Sequence, residues 1–337
     1  MPSRDFDESL TLPASLQDAG IHPITMPMPF ALRHVHAYAL ETNDGWALID
    51  AGFPSKQALD IFRTELTRIV GDLSRINAVV VTHFHPDHSG LAGWVQRESG
   101  AQVYIHKLDA ERRTQMRDRD QELIDGKGSI FAENLNDGPG PDERVFDVFR
   151  SQMDDMELPE TAPTLVDGDT EIEVGGRALR LIWTPGHTPG HLCVADPAAN
   201  VLFSGDHILG RITPHIGLWT ADGTSPLHEF EDSLRKVEAL GFETVLPAHE
   251  AVVERPNERI GEILAHHVDR KAQAIEAIES GESNVLGIAA QLFAKRWDVP
   301  MQRAFAMAET LAHLEALVVD GALAREGVGA DASYRLA

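Results

Sequence analysis

Cysteine is all but missing from this chain: among 337 residues only Cys193 is one, so no internal disulfide can form. A chain without disulfides fits a reducing compartment, and a cytoplasmic location is the expectation. Long apolar runs are missing as well, which excludes a membrane-spanning helix. Met1 to Glu8 lack the apolar core that a secretory signal needs. Basic side chains are scarce: 29 Lys and Arg against 53 Asp and Glu leave a net charge of -24. Such a surface repels phosphate backbones, so no nucleic-acid partner and no membrane partner are expected. The densest basic stretch, Arg112 to Arg119, is interrupted by Asp118 and followed by Asp120 and Glu122, and makes no basic patch.

What is present is a globular composition, 43% hydrophobic and 24% charged, on a chain long enough for a large domain and a small one. Residues 1–22 read as a lead-in. Two strands are expected next, one around Pro29–Leu40 and one over Gly45–Asp50. Ser55 then caps a helix with Leu59, Phe62, Leu66 and Ile69 on one face. Ile76–Val81 is a short, almost wholly apolar run, the mark of a strand buried on both faces, and it delivers the chain into His83. A helix to about Glu98 ends at Gly100, and Gln102–His106 is the next strand. Residues 109–163, charged and punctuated by Gly and Pro, read as an insertion that forms a lid over the site and sets substrate choice. Strands resume at Thr170–Val174, Ala178–Trp183, Val194–Ala195, Val201–Ser204 and Thr244–Leu246. The alternation of strands and helices, with His and Asp on the turns, predicts a layered α/β architecture.

From Ile260 the strands stop. One apolar helix face runs from Ile260 to Ile278, a second helical stretch from Val285 to Lys295, and a third opens at Pro300. Gly321 ends it, and Leu323–Arg325 with Ser333–Leu336 form a hairpin. Three helices and a hairpin predict a winged-helix shape. The chain therefore divides into 1–22, a main domain over 23–258 and a C-terminal domain over 259–337. Pro300–Asp320, where a DNA-reading helix would lie, carries one cation, Arg303. This domain is expected to pack or to form a homodimer rather than bind DNA.

The chemistry concentrates in His83-Phe84-His85-Pro86-Asp87-His88. His83 and His85 are two apart at a strand end and point to one face, while Asp87 and His88 follow in the turn. Four ligand-type residues in six positions, after a buried strand and before Ser89-Gly90, read as a metal site. Imidazole and carboxylate donors suit Zn²⁺ best, with Fe and Mn as alternatives.

These residues resemble the metallo-β-lactamase-fold superfamily, over about residues 25–255. The likeness extends to Thr184-Pro185-Gly186-His187-Thr188-Pro189-Gly190-His191, Phe203-Ser204-Gly205-Asp206-His207 and Leu246-Pro247-Ala248-His249. It implies a four-layer αββα sandwich holding two divalent metal ions. By resemblance His83, His85 and His187 hold the first ion, Asp87, His88 and His249 the second, and Asp206 bridges both. Asp50, in Leu48-Ile49-Asp50-Ala51-Gly52, matches the aspartate that steadies the site from behind. His191, Arg211 and His215 are further pocket candidates. A water bridging two divalent ions becomes hydroxide near neutral pH and attacks a polarised carbonyl, with Asp87 orienting it or returning a proton.

Among the superfamily's members, true β-lactamases carry a cysteine where Asp206 stands, and acyl-homoserine lactonases a tyrosine just beyond it. The glyoxalase II group shares the Gly-His-Thr-Pro-Gly-His pattern, and the nearest likeness is to the glyoxalase II-like hydrolases that carry a C-terminal winged helix. The expected function is hydrolysis of a small thioester or ester, a small-molecule acyl substrate. A nuclease or phosphodiesterase of the same fold, or a lactonase, is the alternative. Phe84, Leu91, Trp183, Ile208, Ile216, Leu218 and Trp219 are expected to make an apolar wall, with Arg211 the nearby cation.

Overall fold

The structure, a computed structural model, describes residues 10–29, 32–118, 156, 159–218, 225–327 and 332–337. Strands β1 Ile21–Pro27, β2 His34–Glu41, β3 Trp46–Ile49, β4 Ile76–Val80, β5 Gln102–His106 and β6 Thr164–Val166 form a six-stranded sheet in that spatial order. Strands β7 Thr170–Val174, β8 Arg177–Trp183, β9 Leu192–Asp196, β10 Val201–Gly205 and β11 Thr244–Pro247 form a second sheet in the order β11-β10-β9-β8-β7.

Alternation along the strands decides the layering. Leu48 and Val79 turn toward helices α2 (Lys56–Val70) and α4 (Ala92–Ser99) and pack with Phe62, Leu66 and Trp94. Their neighbours Ala47, Ile49, Ala78 and Val80 face the second sheet and meet Leu179, Leu181, Val194 and Phe203. The far face of that sheet carries Ile182, Cys193, Ala195 and Leu202. It is covered by Leu227, Phe230 and Leu234 of α6 (Pro226–Glu238) and by Ile260 and Ile263 of α7 (Pro256–Glu279). The result is the expected α/β sandwich of four layers. Short helices α1 (Ala14–Asp18) and α3 (Pro86–Ser89) and the longer α5 (Lys107–Asp118) complete this part. Helix α2 starts where its cap predicts, the Ser55 hydroxyl accepting from the Ala58 amide.

The lead-in reading of 1–22 is corrected from Leu12 onward. Leu12 and Leu16 are buried between the sheets, and β1 begins at Ile21, pairing with Leu40 of β2. The expected strand at Pro29–Leu40 is in fact β2 from His34, preceded by this extra strand. The lid expected over 109–163 falls almost wholly outside the described residues; α5 opens it, and Thr161 is tied to Gln96 as β6 approaches.

Beyond β11, α7 is followed by α8 (Val285–Leu292), α9 (Pro300–Val319) and an antiparallel hairpin of β12 (Leu323–Glu326) with β13 (Ser333–Leu336). Helix α7 starts at Pro256, so the division expected at 258/259 falls inside it. It belongs to two cores: Ile260 and Ile263 pack under the second sheet, while Ala274, Ala277 and Ile278 pack with Met307, Leu311 and Leu314 of α9. Between α7 and α9, His267 Nδ1 lies 3.1 Å from His313 Nε2, and His313 Nδ1 donates to the Glu309 carbonyl. Burial first, with His313 and His266 adding to it, pushes His267 down to about 3. A histidine depressed by folding contributes stability above its unfolded pKa near 6.5 and loses it as pH falls toward the folded value. The urea midpoint should therefore drop between pH 6.5 and pH 5, this site supplying about 2 kcal/mol. His267→Gln should flatten that drop; an unchanged slope would remove His267 from the account.

Candidate metal centre

The residues expected to hold metal, and Asp50, each follow the C-terminal end of a strand: Asp50 after β3, His83 to His88 after β4, His187 after β8, Asp206 after β10 and His249 after β11. Side-by-side strands thereby place their loops in one cleft. The turn into Asp206 depends on Gly205, held at φ +50, where an added Cβ would lie 2.8 Å from His191 Nε2 and 2.9 Å from Thr82 Oγ1.

Among the described residues, three groups of donors could hold a metal ion: His83, His85 and His187; His83, His88 and Asp206; and Asp87, His88 and His249, the donor atoms of each within 4.8 Å of one another. His85 Nδ1 faces His83 Nε2 at 2.9 Å and His187 Nε2 at 3.1 Å. Asp206 reaches both ends of the cleft. Its Oδ2 is 3.5 Å from His187 Nε2, and its Oδ1 lies 3.5 Å from His88 Nε2 and 3.4 Å from His249 Nε2. Asp87 Oδ2 is 3.4 Å from His249 Nε2 and 3.6 Å from His88 Nε2. The structure thus brings together all seven residues expected to hold metal.

The hydrogen bonds behind the rings test whether an ion fits. His187 Nδ1 donates to the His215 carbonyl, His249 Nδ1 to the His34 carbonyl and His88 Nδ1 to Asp50 Oδ2. Thr82 Oγ1 donates to Asp50 Oδ2, so it accepts from His83 Nδ1. In all four rings Nδ1 is the donor to these partners, so Nε2 is the nitrogen aimed into the cleft and free to bind a cation once it gives up any proton. His88 Nε2, His249 Nε2 and Asp206 Oδ1 are buried and have no hydrogen-bond partner. Orphaned buried acceptors of this kind call for a cation.

Charge agrees. Burial pushes the His88 imidazolium down, but Asp87, Asp206 and Asp50 together outweigh it and hold the ring up at about 10. Burial likewise pushes Asp87 and Asp206 up, and His88 and His249 outweigh it, holding both below the usual carboxylate range. The cluster therefore favours positive charge, which an ion could supply in place of protons.

Residues 31–249 match the metallo-beta-lactamase superfamily, and residues 272–337 match the metallo-beta-lactamase-like C-terminal domain. The chain belongs to the metallo-beta-lactamase superfamily. The superfamily likeness extends to whole solved structures. A beta-lactamase domain protein from Burkholderia ambifaria superposes with a TM-score of 0.81 at 26% identity, covering 99% of this chain and 97% of that one. A metallo-beta-lactamase family protein from Thermus thermophilus gives 0.80 at 27%, covering 94% and 99%. Among curated proteins, a beta-lactamase-like protein 2 homolog from Caenorhabditis elegans is 26% identical over 76% of this chain and 69% of its own length. An atrochrysone carboxyl ACP thioesterase from Aspergillus aculeatus is 31% identical over 74% of this chain and 61% of its own. A second, from Aspergillus fumigatus, is 24% identical over 75% and 62%. The chain thus spans about three fifths of the length of these thioesterases.

In this superfamily member the remaining candidates separate. His191 is buried beneath the site: its Nε2 accepts from the Asp206 amide and its Nδ1 bonds Thr184 Oγ1, so it braces Asp206 from below. His215 orients His187 through its carbonyl, and its ring stands 4.8 Å from that of Phe305 on α9 and 3.7 Å from Glu309 Oε2. Arg211 is exposed, and its backbone amide donates to Glu250, the neighbour of His249. The expected apolar wall is corrected. Leu91, Ile208, Ile216 and Leu218 are buried in the hydrophobic cores, because the turns that aim the polar residues inward send these neighbours the other way. Trp183 stacks on His106, and Phe84 lies against the His85 ring at 4.8 Å. Trp219 is outside the described residues.

One carboxylate escapes the sequence reading. Asp109, at the start of α5, is fully buried, and its oxygens accept from the Phe84 amide (3.0 Å), Thr188 Oγ1 (2.8 Å) and the Gly190 amide (2.6 Å). Burial pushes it up to about 6, against these three donors. It was hidden among the charges of a stretch read as insertion.

Proposed function

We propose that this chain is a hydrolase of small thioesters or esters with a two-ion centre. His83, His85 and His187 serve one ion, Asp87, His88 and His249 the other, and Asp206 serves both. The observation that carries the reading is Asp206, whose two oxygens face separate histidine groups. Bound divalent ions, Zn²⁺ first and Fe or Mn as alternatives, supply an activated water and a polarised carbonyl. The chain's own residues do the rest. Asp50, Thr82, His34 and His215 fix the imidazole tautomers, and the ordered rings hold their geometry as charge develops. Asp87, ionised and at the edge of the cleft, takes a proton from the attacking water and returns it to the leaving group.

The choice of acyl over phosphoryl substrate rests on the thioesterase relatives and on charge. A phosphodiesterase for polynucleotides holds a polyanion with lysines and arginines. Here the carboxylates of Asp87 and Asp206 face the cleft, on a chain of net charge -24. The C-terminal helices and hairpin, read as winged-helix-like, then serve to pack against His215 rather than to hold nucleic acid. Turnover of an aryl thioester beside bis(p-nitrophenyl) phosphate, on protein loaded with zinc, tests this. The thioester should be faster by at least about a hundredfold, a difference near 2.7 kcal/mol in barrier. A phosphodiester rate equal to or above it would sink the acyl reading.

A further inference from the structure

Asp109 makes its hydrogen bonds to none of the metal-type donors, yet it joins the two loops that carry His83, His85 and His187. From the Phe84 amide it holds the backbone between His83 and His85. Through Thr188 and Gly190 it holds the loop that begins with His187. The close approach is built in: a Cβ on Gly190 would lie 2.6 Å from Asp109 Oδ1 and 2.7 Å from its amide nitrogen. His85 gives the contact its consequence. His83 is oriented by Thr82 and His187 by the His215 carbonyl, whereas among the described residues the His85 ring takes no hydrogen bond from outside the group. Its place is set by its backbone and by packing against Phe84, both of which hang on the amide that Asp109 holds.

We propose that Asp109 is the positioning residue of the three-histidine half. Its carboxylate fixes the spacing of the 83–85 and 187–190 loops and so sets the ion affinity of His83, His85 and His187 without contacting the ion. The proposal rests on the two-ion reading above. The carboxylate is suited to the task because it is acceptor-only, and all its contacts are donors. Asparagine has the same shape but must turn its NH₂ toward either the Gly190 or the Phe84 backbone N–H, which pushes the loops apart. Helix α5 anchors the carboxylate in its first turn, where the helix dipole favours negative charge.

The test is zinc affinity, read by competition with a chromophoric chelator on full-length protein whose fold is checked by circular dichroism. Wild-type protein should titrate in two phases, and His85→Ala marks the phase belonging to the three-histidine group. Asp109→Asn should weaken that same phase by about 10- to 100-fold, the usual cost of losing an outer partner, and leave the other phase in place. Thr188→Val, which removes one of the three bonds and no charge, should shift the same phase by less, and decides the matter if Asp109→Asn does not fold. Wild-type affinity in both phases for Thr188→Val and Asp109→Asn, or equal weakening of both phases, overturns the proposal. A wild-type titration in a single phase with one ion per chain would instead remove the two-ion reading beneath it.

Discussion

Asp206→Asn is expected to lower kcat by about a thousandfold while the fold stands. The carboxylate is buried with Oδ1 directed at His88 and His249 and Oδ2 at His187, so each oxygen serves a different histidine group. An amide of the same shape keeps one acceptor, and its NH₂ donates to the Nε2 lone pairs that an ion would otherwise take. One negative charge is lost from the centre of the cleft, where burial makes it count most. The fold should survive because Asp206 is held by its backbone, whose amide donates to His191, and by the turn at Gly205. Steady-state kinetics with a thioester, elemental analysis and a urea titration check the three parts of this result. A variant that keeps two ions and loses less than about tenfold in kcat would show that Asp206 does not bridge.

Most of the centre was legible because metal-type donors cluster in sequence wherever a strand ends in a tight turn. His83, His85, Asp87 and His88 stand in six positions, and His187, Asp206 and His249 each sit in a Gly- or Pro-bearing turn. Strands β3, β4, β8, β9 and β10 were legible from their short apolar runs. Strand β1 was not, since Pro23 and Pro27 argue against a strand. Both are tolerated because β1 is the edge of its sheet, where a missing N–H need not break a ladder. The wall residues were misplaced for a different reason: nearness in sequence to a ligand says nothing about which way a turn sends the side chain. Asp109 was illegible because it acts on backbone amides, and any stretch of sequence offers those. A lone carboxylate beside Lys107, Glu111 and Arg112 looks like solvated surface until the fold brings the Phe84 and Gly190 amides to it.

Asp50 offers a sharper separation of folding from chemistry, because two substitutions there should fail differently. The residue sits at φ +61, a region that aspartate tolerates better than most side chains. Its carboxylate gathers three donors: the Thr82 amide at 2.7 Å, Thr82 Oγ1 at 2.8 Å and His88 Nδ1 at 2.8 Å. Asp50→Ala strands all three in the interior and strains the backbone, so it should cost about 3–5 kcal/mol of stability. Asp50→Asn should cost far less, since the amide oxygen still accepts from Thr82. Its NH₂, however, faces His88 Nδ1 and forces that ring into the opposite tautomer, with the proton on Nε2. An Nε2 that carries a proton cannot bind an ion. Asp50→Asn should therefore fold with a melting temperature within a few degrees of wild type, yet lose one ion per chain and at least about a hundredfold in kcat. Metal analysis beside a thermal melt reads both quantities on one preparation. If Asp50→Asn retained both ions at wild-type affinity, the tautomer of His88 would not be what Asp50 controls, and its role would reduce to holding Thr82.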